Sequence, residues 1–176
     1  MNFEKCIDCG DFVLKKITPN MENARELLSV INDNRDYLST YLEWIDEYTT
    51  LEKTLANITK SYSNDVCSYF ITIGGKIAGK IGFVDIDENM GEISYWLAKK
   101  YTGRGIMTRA LNLISGIGFN KIGLNRIQLT LDVDNIRSES VALRCGFRLD
   151  GILRRYFLLR GVPRDMKMFS RLKTDN

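Results

Sequence analysis

Ile93-Ser94-Tyr95-Trp96-Leu97-Ala98-Lys99-Lys100-Tyr101-Thr102-Gly103-Arg104-Gly105-Ile106-Met107-Thr108-Arg109-Ala110-Leu111 is the stretch whose reading decides the fold. It reads as a strand, a short loop with two nearby glycines, and an amphipathic helix. After the loop, apolar residues recur at Ile106, Met107, Ala110, Leu111, Leu113, Ile114 and Ile117, the period of a helix with one buried face. Such a loop brings free backbone N–H groups to a helix N-terminus, which favours negative charge. Together they predict a site for a phosphate or pyrophosphate.

Upstream, Phe12–Ile17 reads as a strand ended by Thr18-Pro19-Asn20. Residues 21–31 and 34–62 read as helices, with apolar positions at Leu27, Leu28, Ile31, Leu38, Leu42, Ile45, Leu51, Leu55 and Ile58. Cys67–Ile73 is rich in β formers, and Gly74-Gly75 is a two-residue hairpin signal before a return strand from Lys76 to Val84. Turn and acidic residues Asp85 to Gly91 separate it from a strand over Glu92–Ala98. Downstream, Arg126–Val133 alternates as a strand, and Asn135–Cys145 reads as a short helix ended by Gly146. Final strands near 147–158 and 164–172 flank an expected turn at Gly161-Val162-Pro163. This mixed α/β order lacks the regular alternation of a doubly wound fold.

A length of 176 residues fits one domain over 1–176 with a sizeable core. No apolar run reaches transmembrane length, and Met1–Cys6 lacks the charge and apolar pattern of a signal peptide, so a cytoplasmic protein is expected. Charge is uneven: residues 1–60 carry 7 basic and 11 acidic side chains, residues 61–176 carry 18 and 11. The basic half reads equally as attraction for an anionic ligand or as solvated faces. Without aromatic interleaving or a helix-turn-helix pattern, nucleic acid is not favoured as a direct partner, and no membrane partner is expected.

The chain has no histidine, which excludes a Ser-His-Asp triad, a Cys-His pair and an HExxH zinc site. Cys6 and Cys9 have the spacing of half a zinc knuckle, while Cys67 and Cys145 stand alone. Reduced thiols and no metal are expected.

With these residues in place, the chain resembles the GNAT superfamily, the Gcn5-related N-acetyltransferases, from Phe12 to Leu172. The superfamily loop [QR]-x-x-G-x-[GA] reads here Lys100-Tyr101-Thr102-Gly103-Arg104-Gly105, with Lys in the first position. Glu92–Leu97 before the loop, Gly118–Ile127, Asn135-Ile136-Arg137-Ser138 and Gly146–Gly151 resemble the RimJ/RimL-like branch, named for acetylation of ribosomal-protein N-termini. The resemblance implies a mixed, mostly antiparallel central sheet of about seven strands flanked by about four helices. A V-shaped splay would lie between the fourth and fifth strands, here Glu92–Ala98 and Arg126–Val133. It also implies acetyl-CoA as co-substrate, a homodimer, and an amine acceptor. The acceptor would be a ribosomal or other protein N-terminus, or a small amine.

The resemblance assigns the pyrophosphate to the Lys100, Tyr101, Thr102, Gly103, Arg104, Gly105, Ile106, Met107 and Thr108 stretch, with Lys99 and Arg109 able to add charge. Glycines without a Cβ let the backbone approach the phosphates. Pantetheine pairs with the backbone of Ile93, Tyr95, Trp96 and Leu97, where an N–H would also polarise the thioester carbonyl. Asn135 matches the residue that contacts this arm, and also reads as a helix N-cap; both can hold.

An amine must be neutral to attack. At pH 7 an α-amine is roughly a tenth neutral, and a lysine amine about 400-fold less so. A carboxylate base supplies the rest, and Glu92 stands where many relatives carry one; a solvated strand-end carboxylate is the competing reading. For the leaving thiolate, many relatives use a Tyr seven residues after the Asn, where this chain has Ala142. Ser138, three residues after Asn135, matches the donor proposed in ribosomal-protein-serine acetyltransferases, and also reads as a first-turn Ser. The Glu base proposed in those enzymes falls at Phe157. These departures leave a second class open: a non-catalytic acyl-CoA sensor on the same fold. Tyr37, Tyr41 and Trp44 read as core or as an acceptor pocket. Arg154 and Arg155 read as attractors of an acidic peptide or as solvated.

Overall fold

Runs of β-branched and aromatic residues build one sheet in the computed structural model, which describes residues 3–63 and 67–175. Its strands are β1 (Cys6–Asp8), β2 (Val13–Lys16), β3 (Ser68–Ile73), β4 (Lys76–Asp87), β5 (Met90–Leu97), β6 (Arg126–Asp132), β7 (Arg148–Leu159) and β8 (Val162–Leu172). The order is β1-β2-β3-β4-β5-β6-β8-β7. The helices are α1 (Met21–Asp33), α2 (Arg35–Leu38), α3 (Leu51–Ser63), α4 (Ile106–Ile117) and α5 (Ile136–Arg144). The mixed, mostly antiparallel sheet expected from the resemblance is therefore present, with an eighth strand and a fifth helix among the described residues. The added strand β1 pairs antiparallel with β2 from Cys6↔Lys15 to Asp8↔Val13. Three residues are too few to show alternation in a sequence.

The chain forms two compact units. One comprises residues up to 82 with 95–106, the other residues 83–94 with those from 107 onward. In the first, Ala24, Leu27 and Ile31 of α1 join Ile17, Leu38, Ile45, Ile58, Phe70, Ile77 and Trp96 in one apolar cluster. Asn20 caps α1 by accepting from the Asn23 N–H at 2.8 Å.

The expected single helix over 34–62 is broken into α2, a 3-10 turn at Glu43–Glu47, and α3. Arg35 explains the break. Its Nη1 donates to the Ile45 carbonyl at 2.9 Å and its Nη2 to the Tyr48 carbonyl at 2.6 Å. In a continuous helix those carbonyls would be engaged along the axis. The chain restarts at Thr50, whose carbonyl accepts from the Thr54 N–H at 3.0 Å and whose Oγ1 accepts from the Lys53 N–H at 3.3 Å. Burial pushes the Tyr48 phenol up to about 12, with Glu47 adding to the effect.

In the second unit, Ile127, Leu129 and Leu131 form the buried face of β6. Helix α4 runs on into a π turn at Gly118–Ile122. A Cβ at Gly118 would stand 2.7 Å from Phe83 Cζ and 2.9 Å from Ile127 Cδ1, so this turn packs only without a side chain.

Two turns differ from expectation. β4 and β5 meet at Glu88-Asn89, so the separating segment is much shorter than 85–91. The β7–β8 turn is Arg160-Gly161, both with positive φ, and Val162 and Pro163 already pair with Leu159 and Leu158. Pro163 is tolerated there because the β6–β8 ladder ends at Asp132↔Met166, before Pro163 is reached. β7 also bulges between Leu153 and Phe157, where Arg155 has φ 51° and its N–H donates to Asp165 Oδ1 at 2.7 Å.

Candidate active site

The double-glycine loop leaves β5 through a 3-10 turn at Lys99–Tyr101. Its entry is pinned to α1: Asn34 Oδ1 accepts from the Lys99 N–H at 2.9 Å, while Asn34 Nδ2 donates to the Val30 carbonyl at 2.8 Å. Gly103 and Gly105 then take φ 78° and 71°, a left-handed backbone that side chains rarely adopt. A Cβ at either would meet nothing within 4 Å. The sign of φ, rather than crowding inside the protein, demands glycine, and the space above both residues is open. Lys100 Nζ lies 4.9 Å and the Arg104 guanidinium 5.7 Å from the Tyr101 ring centre, so two cations are gathered on one aromatic side chain.

Helix α4 begins at Ile106, and Ile106, Met107, Ala110 and Leu111 are buried. Its first N–H groups have no acceptor within the helix. Further along, the Cys145 thiol donates to the Thr108 carbonyl at 3.3 Å, and Arg144 Nε donates to Thr108 Oγ1 at 3.3 Å. Burial pushes the Cys145 thiol up, against the nearby Arg171 and Arg144 charges. A raised thiol pKa disfavours the thiolate that an acyl-accepting nucleophile would need.

On β5, Ile93, Trp96 and Leu97 are buried and Ser94 is exposed. Trp96 lies 6.2 Å from Trp44, which meets Tyr48 edge-on at 5.3 Å. Tyr37, Trp44 and Tyr48 are half-buried and pack against the apolar cluster, and Tyr41 is half-buried.

The parallel ladder between β5 and β6 runs Met90↔Arg126, Gly91↔Ile127 and Glu92↔Gln128. Among the described residues it ends at Glu92, while β5 continues to Leu97 and β6 to Asp132. This is the interruption expected of the splayed pair. At its last rung Gln128 Nε2 donates to Glu92 Oε2 at 3.2 Å, which fixes the carboxylate's orientation.

Asn135 does cap α5: its Oδ1 accepts from the Ser138 N–H at 3.2 Å. That contact brings Asn135 and Ser138 together and leaves the Asn135 Nδ2 as its donor end. Ala142 is fully buried on the same helix, and Phe157 is half-buried on β7. Glu92, Ile93, Met107, Thr108, Asn135 and Ser138 belong to the second unit, and Tyr95–Leu97 and Lys100–Ile106 to the first. Gln128 and Asn34 were not singled out from sequence. The alternation of β6, which sets Gln128 opposite Glu92, was the signal available for one of them. Cys6 is exposed on β1 and Cys9 half-buried just beyond it. Among the described residues no group of three or more His, Cys, Asp or Glu is placed to hold a metal, and no helix is long and apolar enough to cross a membrane.

This strand-loop-helix geometry agrees with a family model, the acetyltransferase (GNAT) domain, which matches residues 12–148. The chain belongs to the GNAT family of N-acetyltransferases. Within that family it is 27% identical over 165 residues to the probable N-acetyltransferase YjcK of Bacillus subtilis (strain 168), covering 88% of this chain and 91% of YjcK. It is 27% identical over 156 residues to the ribosomal-protein-serine acetyltransferase of Escherichia coli (strain K12), covering 85% and 87%. It is 32% identical over 103 residues to the putative ribosomal N-acetyltransferase YdaF of B. subtilis, where the chain spans only about half of that relative, 56%. Among solved GNAT structures, the microcin C7 self-immunity acetyltransferase MccE in complex with acetyl-CoA and AMP superposes with a TM-score of 0.83 at 29% identity, covering 92% of each chain. The ribosomal L7/L12 acetyltransferase RimL in complex with coenzyme A superposes at 0.86 with 24% identity over 95% of this chain and 97% of RimL, a likeness of fold.

Proposed function

We propose that this protein transfers the acetyl group of acetyl-CoA to a primary amine by direct attack within a ternary complex. The observation that carries the reading is the loop in which Gly103 and Gly105 turn left-handed immediately before α4. The fit to the donor is physical. Open space stands where two Cβ atoms would be, cations flank Tyr101, and the stretch leads into the positive end of a helix. The Thr102 N–H itself is donated to the Lys99 carbonyl at 3.2 Å, which leaves the N–H groups from Gly103 onward for the ligand.

When bound, acetyl-CoA supplies a thioester, the activated acyl group of the reaction. Backbone groups of Ile93, Tyr95, Trp96 and Leu97 orient its arm, and an N–H on this strand stabilises negative charge on the carbonyl oxygen. The Nδ2 of Asn135 donates to the arm. Glu92, held by Gln128, takes the proton that the amine loses, directly or through one water. Ser138, in the first turn of α5, returns a proton to the departing sulfur.

The acceptor class that asks least of one carboxylate is a protein N-terminal α-amine, because a larger share of it is neutral at pH 7. The ribosomal-protein-serine acetyltransferase, which aligns over most of both chains, supports a protein N-terminus as acceptor. A cytoplasmic, homodimeric enzyme is the corresponding expectation for the assembly. Ala142 and Phe157, which replace the relatives' Tyr and Glu, favour the second reading, a module that binds acyl-CoA without turnover.

Thiol release on mixing with acetyl-CoA and a panel of N-terminal peptides, polyamines and amino acids tests the proposal. Turnover on the peptides is the expected result. Tight coenzyme A binding with no turnover on any amine would assign the sensor instead.

A further inference from the structure

The turn between β6 and α5 carries Asn135 and leads into Ser138. It is also the place where two carboxylates, Asp132 and Asp134, stand two residues apart. Asp132 is 6% exposed. Left alone, the pair would repel, and a buried carboxylate without a partner is costly. The β6–β8 register resolves this. Asp132 pairs with Met166, so Arg164, two residues further on, shares its face of the sheet. Arg164 Nε donates to Asp132 Oδ2 at 2.8 Å and Nη2 to Asp132 Oδ1 at 3.0 Å, while Nη2 also donates to Asp134 Oδ2 at 2.5 Å. One guanidinium thus bridges both carboxylates and offsets part of their charge.

Further bonds brace the turn around this centre. Asp132 Oδ1 also accepts from the Asp134 N–H at 2.9 Å, and the Asp132 carbonyl accepts from the Asn135 N–H at 2.9 Å. The Val133 N–H donates to the Asp165 carbonyl at 3.1 Å. One turn later, Lys167 Nζ donates to Glu139 Oε2 at 2.9 Å, with both side chains largely buried. Adjacent residues of β8 therefore grip the approach to α5 by side chain and by backbone.

We propose that Arg164, acting through Asp132, is a positioning residue that sets the direction of the Asn135 amide toward the coenzyme A arm. This rests on the assignment of Asn135 in the proposed acetyl transfer. A planar fork is required because two oxygens of Asp132 and one of Asp134 must be met at once; an ammonium offers a point charge instead.

The test is a double-mutant cycle of Arg164→Met and Asn135→Ala, read by calorimetry with coenzyme A and by steady-state kinetics with acetyl-CoA. Arg164→Met should weaken coenzyme A binding about tenfold and raise KM for acetyl-CoA, with KM for the amine unchanged. In the Asn135→Ala background the same substitution should cost nothing further, and Arg164→Lys should recover part of the affinity. If Arg164→Met does not fold, Arg164→Lys takes its place in the cycle. Full affinity in the Arg164 variants overturns the proposal, as does an equal loss in both backgrounds, and either result leaves the Asn135 assignment standing. Unchanged affinity in Asn135→Ala alone removes that assignment, and the proposal with it.

Discussion

The Gly103–Gly105 loop and the β6–α5 turn make opposite use of the chain. At the loop, backbone conformation does the work: two positive φ values and open space where side chains would be. At the turn, side chains do it, with Arg164 bridging two carboxylates and Asp132 bonded at three points. A phosphate site needs donors that are already aimed and unobstructed, which favours bare backbone. A site that must aim a single side-chain amide needs a frame, which favours a charged network with its partners fixed.

The contrast can be broken at the loop first. Gly105→Glu adds left-handed strain and a negative charge where the pyrophosphate is assigned, and should weaken coenzyme A binding by about 100-fold or more. Because a Cβ there meets no neighbour, the fold should persist, so circular dichroism should match the parent. Undiminished affinity by calorimetry would remove the loop as the pyrophosphate site. Glu92 belongs to neither region, and Glu92→Gln separates chemistry from binding. Turnover should fall by about 100-fold, most steeply toward low pH, with coenzyme A affinity intact. A parental pH profile would eliminate Glu92 as the base.

The turn should respond in stability where the loop does not. Asp132→Asn leaves Arg164 without its main partner and should lower Tm by about 3–8 °C. An unchanged melting curve would show that the network contributes nothing to stability. The smallest effect is the pH dependence. Burial raises the Asp132 carboxyl, but the Arg164 hydrogen bonds, the Asp134 N–H and the Arg164 charge outweigh it and hold the group below its ordinary value. A depressed carboxylate contributes stability that is present above its unfolded pKa, about 4, and lost as pH falls through its lower folded value. Acid titration of stability should therefore be shallower in Asp132→Asn; identical slopes below pH 4 would contradict the assignment.

The same contrast explains what could be read before the structure. Glycines written into the chain marked the left-handed strand-to-helix loop and the Gly74-Gly75 hairpin, and a 3.6-residue apolar period marked α4. Asn135 announced its cap. Features made by distant side chains carried no such mark. The stripe Leu38, Leu42, Ile45, Leu51, Leu55, Ile58 suits one helix, whereas in the structure it is broken and Arg35 reaches the Ile45 and Tyr48 carbonyls. Asp132 and Arg164 are 32 residues apart, and their pairing depends on a strand register that neither residue specifies. Pro163 pointed to a turn because its tolerance in β8 depends on where the neighbouring ladder stops.

The Trp96–Trp44 contact has a spectroscopic consequence. These are the chain's two tryptophans, and their rings lie 6.2 Å apart, one of them on the strand assigned to the thioester arm. Intrinsic emission thus originates from a single neighbourhood rather than averaging over the molecule. Replacing Trp44 by Phe would leave Trp96 as a lone tryptophan on β5.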